Sequence, residues 1–423
     1  MGVEAAIPRT ARSLRFDEHP LRILMTCDTV GGVWQYALEL SRALIARGVR
    51  VTLAAMGGLP DREQRRETLS IPDLDLRVSR YKLCWMEDPW HDVRAAGEWL
   101  LSIAQEVQPD LVHLNDLGHG DLPWPAPVLT VGHSCVLSWW RAVHGEAAPE
   151  PRWTRYRRRV AAGLHASQLV IAPTQAMLSS LQEFYGPLRA ARIIPNGRNV
   201  RIEPRGSFIS SSMMREANQN AHVHVRTFHQ QHAPSDTKKN IIFAAGRVWD
   251  EGKNLRVLAE VAARVPWPVC IAGSARSPDG ERDERQTAFL NVHMLGMLGP
   301  GAMQRWFGKA SIYALPARYE PFGLSVLEAA SAGCALVLGD IESLRETWDG
   351  AALFVPPDDR DALADALQRL ITDDALRTRS QARAHRRATH LTPQAMADAY
   401  LESYEELCAR RRTLLWFGQE ARA

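Results

Sequence analysis

Two glutamates, Glu320 and Glu328, stand with seven residues between them in the stretch SIYALPARYEPFGLSVLEAASAGCALVLGDIESLRETWDGAALF. Upstream, Arg247 and Lys253 fall in the run Gly246-Arg247-Val248-Trp249-Asp250-Glu251-Gly252-Lys253-Asn254. Two cations on one loop suit a diphosphate, arginine through its forked guanidinium and lysine as a point charge. A carboxylate just inside a helix can accept hydrogen bonds from a ribose diol. The N–H groups of Gly323, Leu324 and Ser325 at the start of that helix face an anion. His133 follows the apolar run Pro127 to Val131, and Gly31 and Gly32 follow another, where missing side chains let a ligand approach the backbone. Each feature also has a plain structural reading. Ser325 and Glu328 match the S-x-x-E capping box, Arg247 and Lys253 suit a solvated loop, His133 suits a structural histidine, and the paired glycines suit a tight turn.

The elements around these residues read as strand, loop, helix, strand, the βαβ unit of a parallel sheet with ligands at the carboxyl ends of its strands. Leu21 to Cys27 reads as a strand, Trp34 to Arg47 as a helix ended by Gly48, and Val49 to Ala55 as the next strand. Asp92 to Val107 reads as helix, Leu111 to Leu114 and Pro127 to Val131 as strands, Pro151 to Leu164 as helix, and Leu169 to Ala172 and Arg192 to Pro195 as strands. A second series opens at Asn240 to Ala245, continues through strands at Pro268 to Gly273 and Val292 to Gly296, and closes with Ile312 to Leu315, a helix near Ser325 and a strand from Ala335 to Gly339. Between the series, Arg198 to Lys239 is polar and rich in histidine and glutamine without periodicity, which reads as a linker; His222, His224, His229 and His232 complete no familiar metal spacing.

Glu320, Glu328 and the E-P-F-G-L turn resemble the E-x7-E signature of the family-four retaining glycosyltransferases, and G-R-x5-K resembles the phosphate-binding loop of the same enzymes. The resemblance covers nearly the whole chain outside Arg198 to Lys239 and is strongest from Gly246 to Pro357. It implies an α/β protein of the GT-B fold, two Rossmann-like domains facing each other across a cleft. Residues 1–197 would form the acceptor-side domain, 198–239 a linker longer than is usual in the family, and 240–393 the nucleotide-sugar domain. Residues 394–423 would form a helix crossing back to the first domain. The implied roles are Arg247 and Lys253 on the diphosphate, Glu328 on the ribose, and Glu320 and His133 facing the donor sugar. Gly31 and Gly32 would lie near the diphosphate and acceptor, and the amides of Gly323, Leu324 and Ser325 would face the anion. The implied donor is a UDP-sugar or GDP-sugar, with no further cofactor and no metal, and the acceptor a glycan, a lipid-linked sugar or a small molecule. An epimerase or phosphorylase on the same fold, and a silent nucleotide-sugar-binding regulator, stay open as alternatives.

Composition bounds these readings. A chain of 423 residues exceeds one ordinary core, and 46% hydrophobic with 23% charged residues describes a soluble globular protein. A net charge of +3 without a long basic run excludes a nucleic-acid partner. The six cysteines are scattered in apolar segments, as expected of reduced thiols, and the charged N-terminal stretch has no apolar core of a signal peptide. These features predict a cytoplasmic protein. Arg152, Arg155 and Arg159 on one helical stripe, with Trp139, Trp140 and Arg141 upstream, suit peripheral contact with an anionic membrane. In the opposing reading Trp153 and Tyr156 pack into the first domain and leave a solvated face. The D-x-D Asp73-Leu74-Asp75 is far in sequence from the two cations.

Overall fold

The computed structural model describes residues 15–16, 19–199, 238–275 and 289–420, with the backbone alone at 15–16 and 412–420. A short antiparallel pair, β1 (Arg15–Phe16) and β2 (His19–Pro20), precedes the first sheet. Then come β3 (Arg22–Asp28), α1 (Gly32–Ile45), β4 (Arg50–Met56), α2 (Arg62–Leu69), β5 (Asp75–Val78) and α3 (Trp90–Val107). The unit continues through β6 (Leu111–Leu114), β7 (Val128–Val131), α4 (Val136–His144), α5 (Thr154–Ala166), β8 (Leu169–Ala172), α6 (Gln175–Tyr185) and β9 (Ala191–Ile193). Its seven strands are parallel, in the order β5-β4-β3-β6-β7-β8-β9. The second unit holds β10 (Lys239–Ala245), α7 (Leu255–Val261), β11 (Val269–Ala272), β12 (Val292–Gly296), α8 (Pro300–Lys309) and β13 (Ala310–Leu315). It ends with α9 (Leu324–Ser331), β14 (Ala335–Gly339), α10 (Glu342–Trp348), β15 (Ala352–Val355), α11 (Arg360–Thr372) and α12 (Asp374–Ala388). Its six parallel strands run β12-β11-β10-β13-β14-β15.

Helices cover both faces of each sheet, so β6, β7, β8, β11, β13 and β14 are buried along their whole length and carry unbroken apolar runs rather than alternation. In both sheets the chain first builds outward to one side and then returns to the other. The order reverses between β3 and β6 in the first sheet and between β10 and β13 in the second. Crevices open at the carboxyl ends of strands at such reversals. Gly31 and Gly32 follow β3, Arg247 follows β10, and Glu320 follows β13. The fold therefore delivers the singled-out residues to two switch points.

α13 (Pro393–Glu420) returns to the first domain, as expected for the final helix. Met396, Ala397, Tyr400, Leu401, Tyr404 and Leu407 join the core that contains Trp34, Tyr36 and Leu40 of α1. Arg47 Nε donates to Asp398 at 2.9 Å and Arg192 donates to Glu406 at 2.8 Å. The two crossings between domains run side by side. The Arg198 N–H donates to Leu391 O at 3.1 Å, and a Cβ on Gly197 would lie 2.1 Å from Thr392 O.

Two expectations change. The helix expected from Pro151 begins at Thr154, because Trp153 and Thr154 donate to Pro149 O and Pro151 O in turns before it. The helix expected to run through Val265 ends at Val261 and gives way to a 3-10 turn, Ala262–Arg264. Of the expected linker, Arg198, Asn199, Lys238 and Lys239 are described, and Lys239 already belongs to β10; the stretch with His222, His224, His229 and His232 lies outside the described residues.

Candidate active site

On the second-domain side, two loops form one floor. The backbone N–H groups of Arg318 and Tyr319 both donate to Gly252 O, at 2.9 and 3.0 Å, which stitches the loop after β13 to the loop after β10. Asn254, held at φ 54°, donates from Nδ2 to Pro316 O at 2.9 Å and Pro357 O at 2.6 Å. The Lys253 ammonium reaches Glu320 Oε2 at 2.6 Å, and the other oxygen of Glu320 accepts from the Gly323 N–H at 3.0 Å. Arg247 pairs with Asp250 at 2.5 Å. Burial alone would raise the Asp250 carboxyl, but Arg247, Lys253 and the Trp139 indole outweigh it and hold the carboxyl below its ordinary range. Each cation is thus held by a carboxylate beside the cleft.

The capping box does not form. α9 begins at Leu324 with Gly323 as its N-cap at φ +88°, and no side chain caps it. Ser325 Oγ lies 2.8 Å from the Tyr313 hydroxyl, and Glu328 accepts from Arg198 Nε at 2.7 Å. Glycine at this cap supplies the left-handed conformation the turn needs, and the Gly323 N–H is taken by Glu320, leaving the N–H groups of Leu324 and Ser325 uncapped at the helix start.

On the first-domain side, His133 stands beyond the end of β7. The Asn115 amide donates to Thr26 O at 2.8 Å, which turns its oxygen toward two imidazoles: His133 Nε2 at 2.8 Å and His113 Nε2 at 3.2 Å. Both rings therefore donate from Nε2. His113 Nδ1 accepts from the Tyr404 hydroxyl of α13 at 2.6 Å, while His133 Nδ1 keeps its lone pair. Burial depresses both imidazoles to about 3, so both stay neutral at physiological pH. The ring of Tyr36 meets His133 edge-on at 4.4 Å between centroids.

The two sides meet across a cavity of about 1230 Å³, whose lining includes Asp28, Gly31, Trp139, Trp153, Arg247 and Trp249. A Cβ on Gly31 would lie 3.6 Å from Arg247 Nη1, and one on Gly32 would lie 3.2 Å from Leu324 Cδ1. Glycine at these positions brings the first-domain backbone up to the cation and to α9. The domains also bond directly. Trp139 Nε1 donates to Asp250 at 2.9 Å, Tyr319 Oη lies 2.8 Å from Ser138 Oγ, and Thr174 Oγ1 donates to Pro321 O at 2.9 Å. Glu346 accepts from the N–H groups of Gln175 and Ala176 at the start of α6. Burial raises the Asp28 carboxyl above its ordinary range, against the pull of its backbone bond to Val30 and of Arg247.

Arg247, Gly31 and Gly32 thus line one cleft, and Leu324 meets Gly32. The Lys253–Glu320 pair, 15% and 12% exposed, and Ser325 are not among its lining residues, and His133 and Glu328 are held in hydrogen-bond networks with first-domain residues and Arg198. Sequence reasoning missed Asp250, Asn115, Asp28 and Arg198. Asp250 and Asp28 sit within quoted motifs and could have been found there; Asn115 and Arg198 matter through partners distant in sequence. Trp139, grouped with an expected membrane surface, instead faces Asp250 in the cleft.

The family model described as glycosyl transferases group 1 matches residues 225–387, and that of Glycosyltransferase Family 4 matches residues 30–201. A D-inositol 3-phosphate glycosyltransferase of Xylanimonas cellulosilytica is 24% identical over 90% of this chain and 93% of its own length. An exopolysaccharide phosphotransferase of Streptomyces coelicolor is 36% identical over 34% of this chain, but the match spans only 16% of that protein. Among solved structures, sucrose-phosphate synthase of Thermosynechococcus elongatus superposes with a TM-score of 0.71 at 20% identity, covering 92% of this chain and 100% of that one. The Anabaena protein HepE in complex with UDP-glucose superposes with a TM-score of 0.66 at 15% identity, over 92% and 100% of the two chains. With both halves of the chain matched and the two-domain architecture shared, this chain belongs to the group 1 glycosyltransferases.

Proposed function

We propose that this chain is a retaining, metal-independent glycosyltransferase that moves a sugar from a UDP-sugar or GDP-sugar to an acceptor hydroxyl on the first-domain side of the cleft. The observation that carries the proposal is the convergence at the two switch points: Arg247 and Lys253 beside the start of α9, with the Gly31 backbone facing Arg247. Breaking the bond between the anomeric carbon and the phosphate oxygen leaves the electron pair on a diphosphate. Fixed cations and helix-terminal amides stabilise that charge as it develops. Both cations are already oriented by Asp250 and Glu320, so little reorganisation accompanies the step. The acceptor oxygen attacks from the face the diphosphate leaves, and its proton passes to the departing phosphate oxygen, which retains configuration. His133, neutral and with Nδ1 free to accept, serves the donor sugar as a hydrogen-bond partner rather than as an acid. Glu328 takes the ribose and Glu320 faces the sugar.

Arg247, Lys253 and the N–H groups at the start of α9 supply positive charge to the diphosphate in the place a divalent ion would take. Of the two D-x-D sequences, Asp75 of Asp73-Leu74-Asp75 opens β5 at the edge of the first sheet and is engaged by Thr52 and Arg77, and in Asp359-Arg360-Asp361 the first carboxylate caps α11 and the second pairs with Arg264. The solved HepE complex holds UDP-glucose, and the relative matched along most of its length is named a D-inositol 3-phosphate glycosyltransferase; both fit this reading. A membrane-borne acceptor receives less support. Arg159 is tied to Gly118 O and Asp121, Arg155 lies over Trp90, and Tyr156 is buried in the first domain. No helix among the described residues is long and apolar enough to cross a membrane. The test is the release of nucleoside diphosphate from UDP-sugars and GDP-sugars across a panel of sugar acceptors, in chelator. Release that requires an acceptor, with retained anomeric configuration in the product, is the expected outcome. Binding without release for every acceptor would favour a silent regulator, and isomerised donor without acceptor would favour an epimerase.

A further inference from the structure

Arg198 stands where the two interdomain crossings touch, and its side chain is only 10% exposed. Nε donates to Glu328 Oε1 on α9 at 2.7 Å, and Nη1 reaches Gln35 Oε1 at 3.0 Å and Glu39 Oε1 at 3.1 Å, both on α1. The two carboxylates are nearly as sheltered, Glu39 at 11% and Glu328 at 17% exposure. Gln35 in turn donates to Glu67 of α2 at 3.0 Å. One guanidinium therefore joins the hinge, the first domain and the second domain.

Neutralising a buried cation takes one carboxylate, and Glu39 on the same domain as the start of the crossing would suffice. The second pairing does something else. A guanidinium is planar and its donors are fixed relative to one another, so anchoring Nη1 on α1 fixes where Nε points. That direction holds Glu328 by one oxygen. Among the described residues no hydrogen bond reaches the other oxygen, Oε2.

We propose that Arg198 is a positioning residue for the donor: it holds Glu328 Oε1 so that Oε2 meets the ribose hydroxyls, and because it is anchored on α1 it makes ribose recognition depend on contact between the two domains. The inference rests on the assignment of Glu328 to the ribose. It gives the second domain's nucleotide site a component carried by the hinge, and sugar-nucleotide selection is complete only while α1 and α9 are bridged.

The test compares UDP, GDP and ADP with their 2′,3′-dideoxy counterparts by isothermal titration calorimetry. The unaltered protein is expected to prefer the ribose form of its nucleotide by about tenfold or more, as for a hydrogen bond to a charged group. Arg198→Met is expected to bring that preference to within about twofold, while affinity for the dideoxy form, which depends on Arg247 and Lys253, stays put. Arg198→Lys, which keeps the charge and loses the fork, should recover part of the preference. The double variant Gln35→Ala, Glu39→Ala removes both acceptors that anchor the arginine on α1 without touching Glu328 and should lower the preference in the same direction, which keeps the test available if Arg198→Met does not fold. Unchanged preference in Arg198→Met or in the Gln35→Ala, Glu39→Ala double variant overturns the inference and leaves the ribose assignment standing. Failure of the unaltered protein to distinguish the two forms, or to bind any of the three nucleotides, overturns the ribose assignment and the inference with it.

Discussion

Glu320 and Glu328 are alike in chemistry and differ in what holds them. Glu320 is claimed on both oxygens, by Lys253 and by the Gly323 N–H, whereas Glu328 is held on one by Arg198. Glu328→Gln is expected to weaken binding of the nucleoside diphosphate by about 1.5–3 kcal/mol, the range for a hydrogen bond to a charged group, measured by calorimetric titration. Glu320→Gln is expected to reduce turnover while nucleotide affinity stays within about threefold, since it loosens Lys253 without removing it. An unchanged dissociation constant in Glu328→Gln, with a lowered melting temperature, would return that carboxylate to a structural role. The residue types and spacings of Glu320, Glu328, Arg247 and Lys253 were legible in the sequence because each pair lies within one loop-and-helix unit. Arg198 was not, because its partners are Glu328 and Glu39, each more than a hundred residues away, and nothing local marks a hinge arginine as buried. The capping-box reading of Ser325 failed for a local reason: Gly323 adopts the positive φ that ends the loop, so the helix starts one residue before Ser325 and leaves that serine inside it.

At the scale of elements, the hydrogen-bond chain Tyr404–His113–Asn115–His133 ties α13 to β6 and to the residue that follows β7. It has a pH signature. His113 is fully buried and titrates near 3, against an ordinary value of 6.5 in the unfolded chain. Between those values the unfolded state binds the proton and the folded state does not. Stability is therefore intact above about 6.5 and declines as the pH falls toward 3, by up to about 1.4 kcal/mol per pH unit from this one group. Urea titrations across that range should show a shallower acid loss in His113→Asn than in the unaltered protein; parallel profiles would mean that this histidine is charged or exposed when folded. Most strands were legible within two residues, because parallel strands covered on both faces are continuous apolar runs bounded by glycine, proline and polar turns. The start of α5 was not, since Pro151 suits a first helical turn and only the turns at Pro149 and Pro151 show that the chain has not yet entered the helix. Periodicity likewise placed His133 at a strand end but could not show Asn115 beside it, which depends on the pairing of β6 with β7.

For the whole molecule, the account depends on two domains held at one cleft by a few contacts. Gly252 makes one of those on the second-domain side: a Cβ there would lie 2.8 Å from Trp139 Nε1 and 3.0 Å from Asp250 Oδ1. Gly252→Ala should push Trp139 off Asp250 and raise KM for the acceptor more than for the donor, because Asp250 still orients Arg247; steady-state kinetics with each substrate varied would show it, and equal effects on both would mean that the phosphate loop itself had moved. The two-domain division was legible from the repeated βαβ series, and so was the return of the last helix through the resemblance. The direct bonding between domains was not legible, because Trp139–Asp250, Ser138–Tyr319 and Thr174–Pro321 join segments more than a hundred residues apart. The central claim, that the cleft binds a diphosphate on two protein cations without a metal, is tested most directly by calorimetric titration of UDP and GDP in excess chelator. Unaltered protein would be compared with the double variant Arg247→Ala, Lys253→Ala. The account predicts that at least one nucleotide binds the unaltered protein in chelator and that the double variant loses about a hundredfold or more in affinity while remaining folded. Binding that appears only when magnesium or manganese is restored, or equal binding by the double variant, would contradict it.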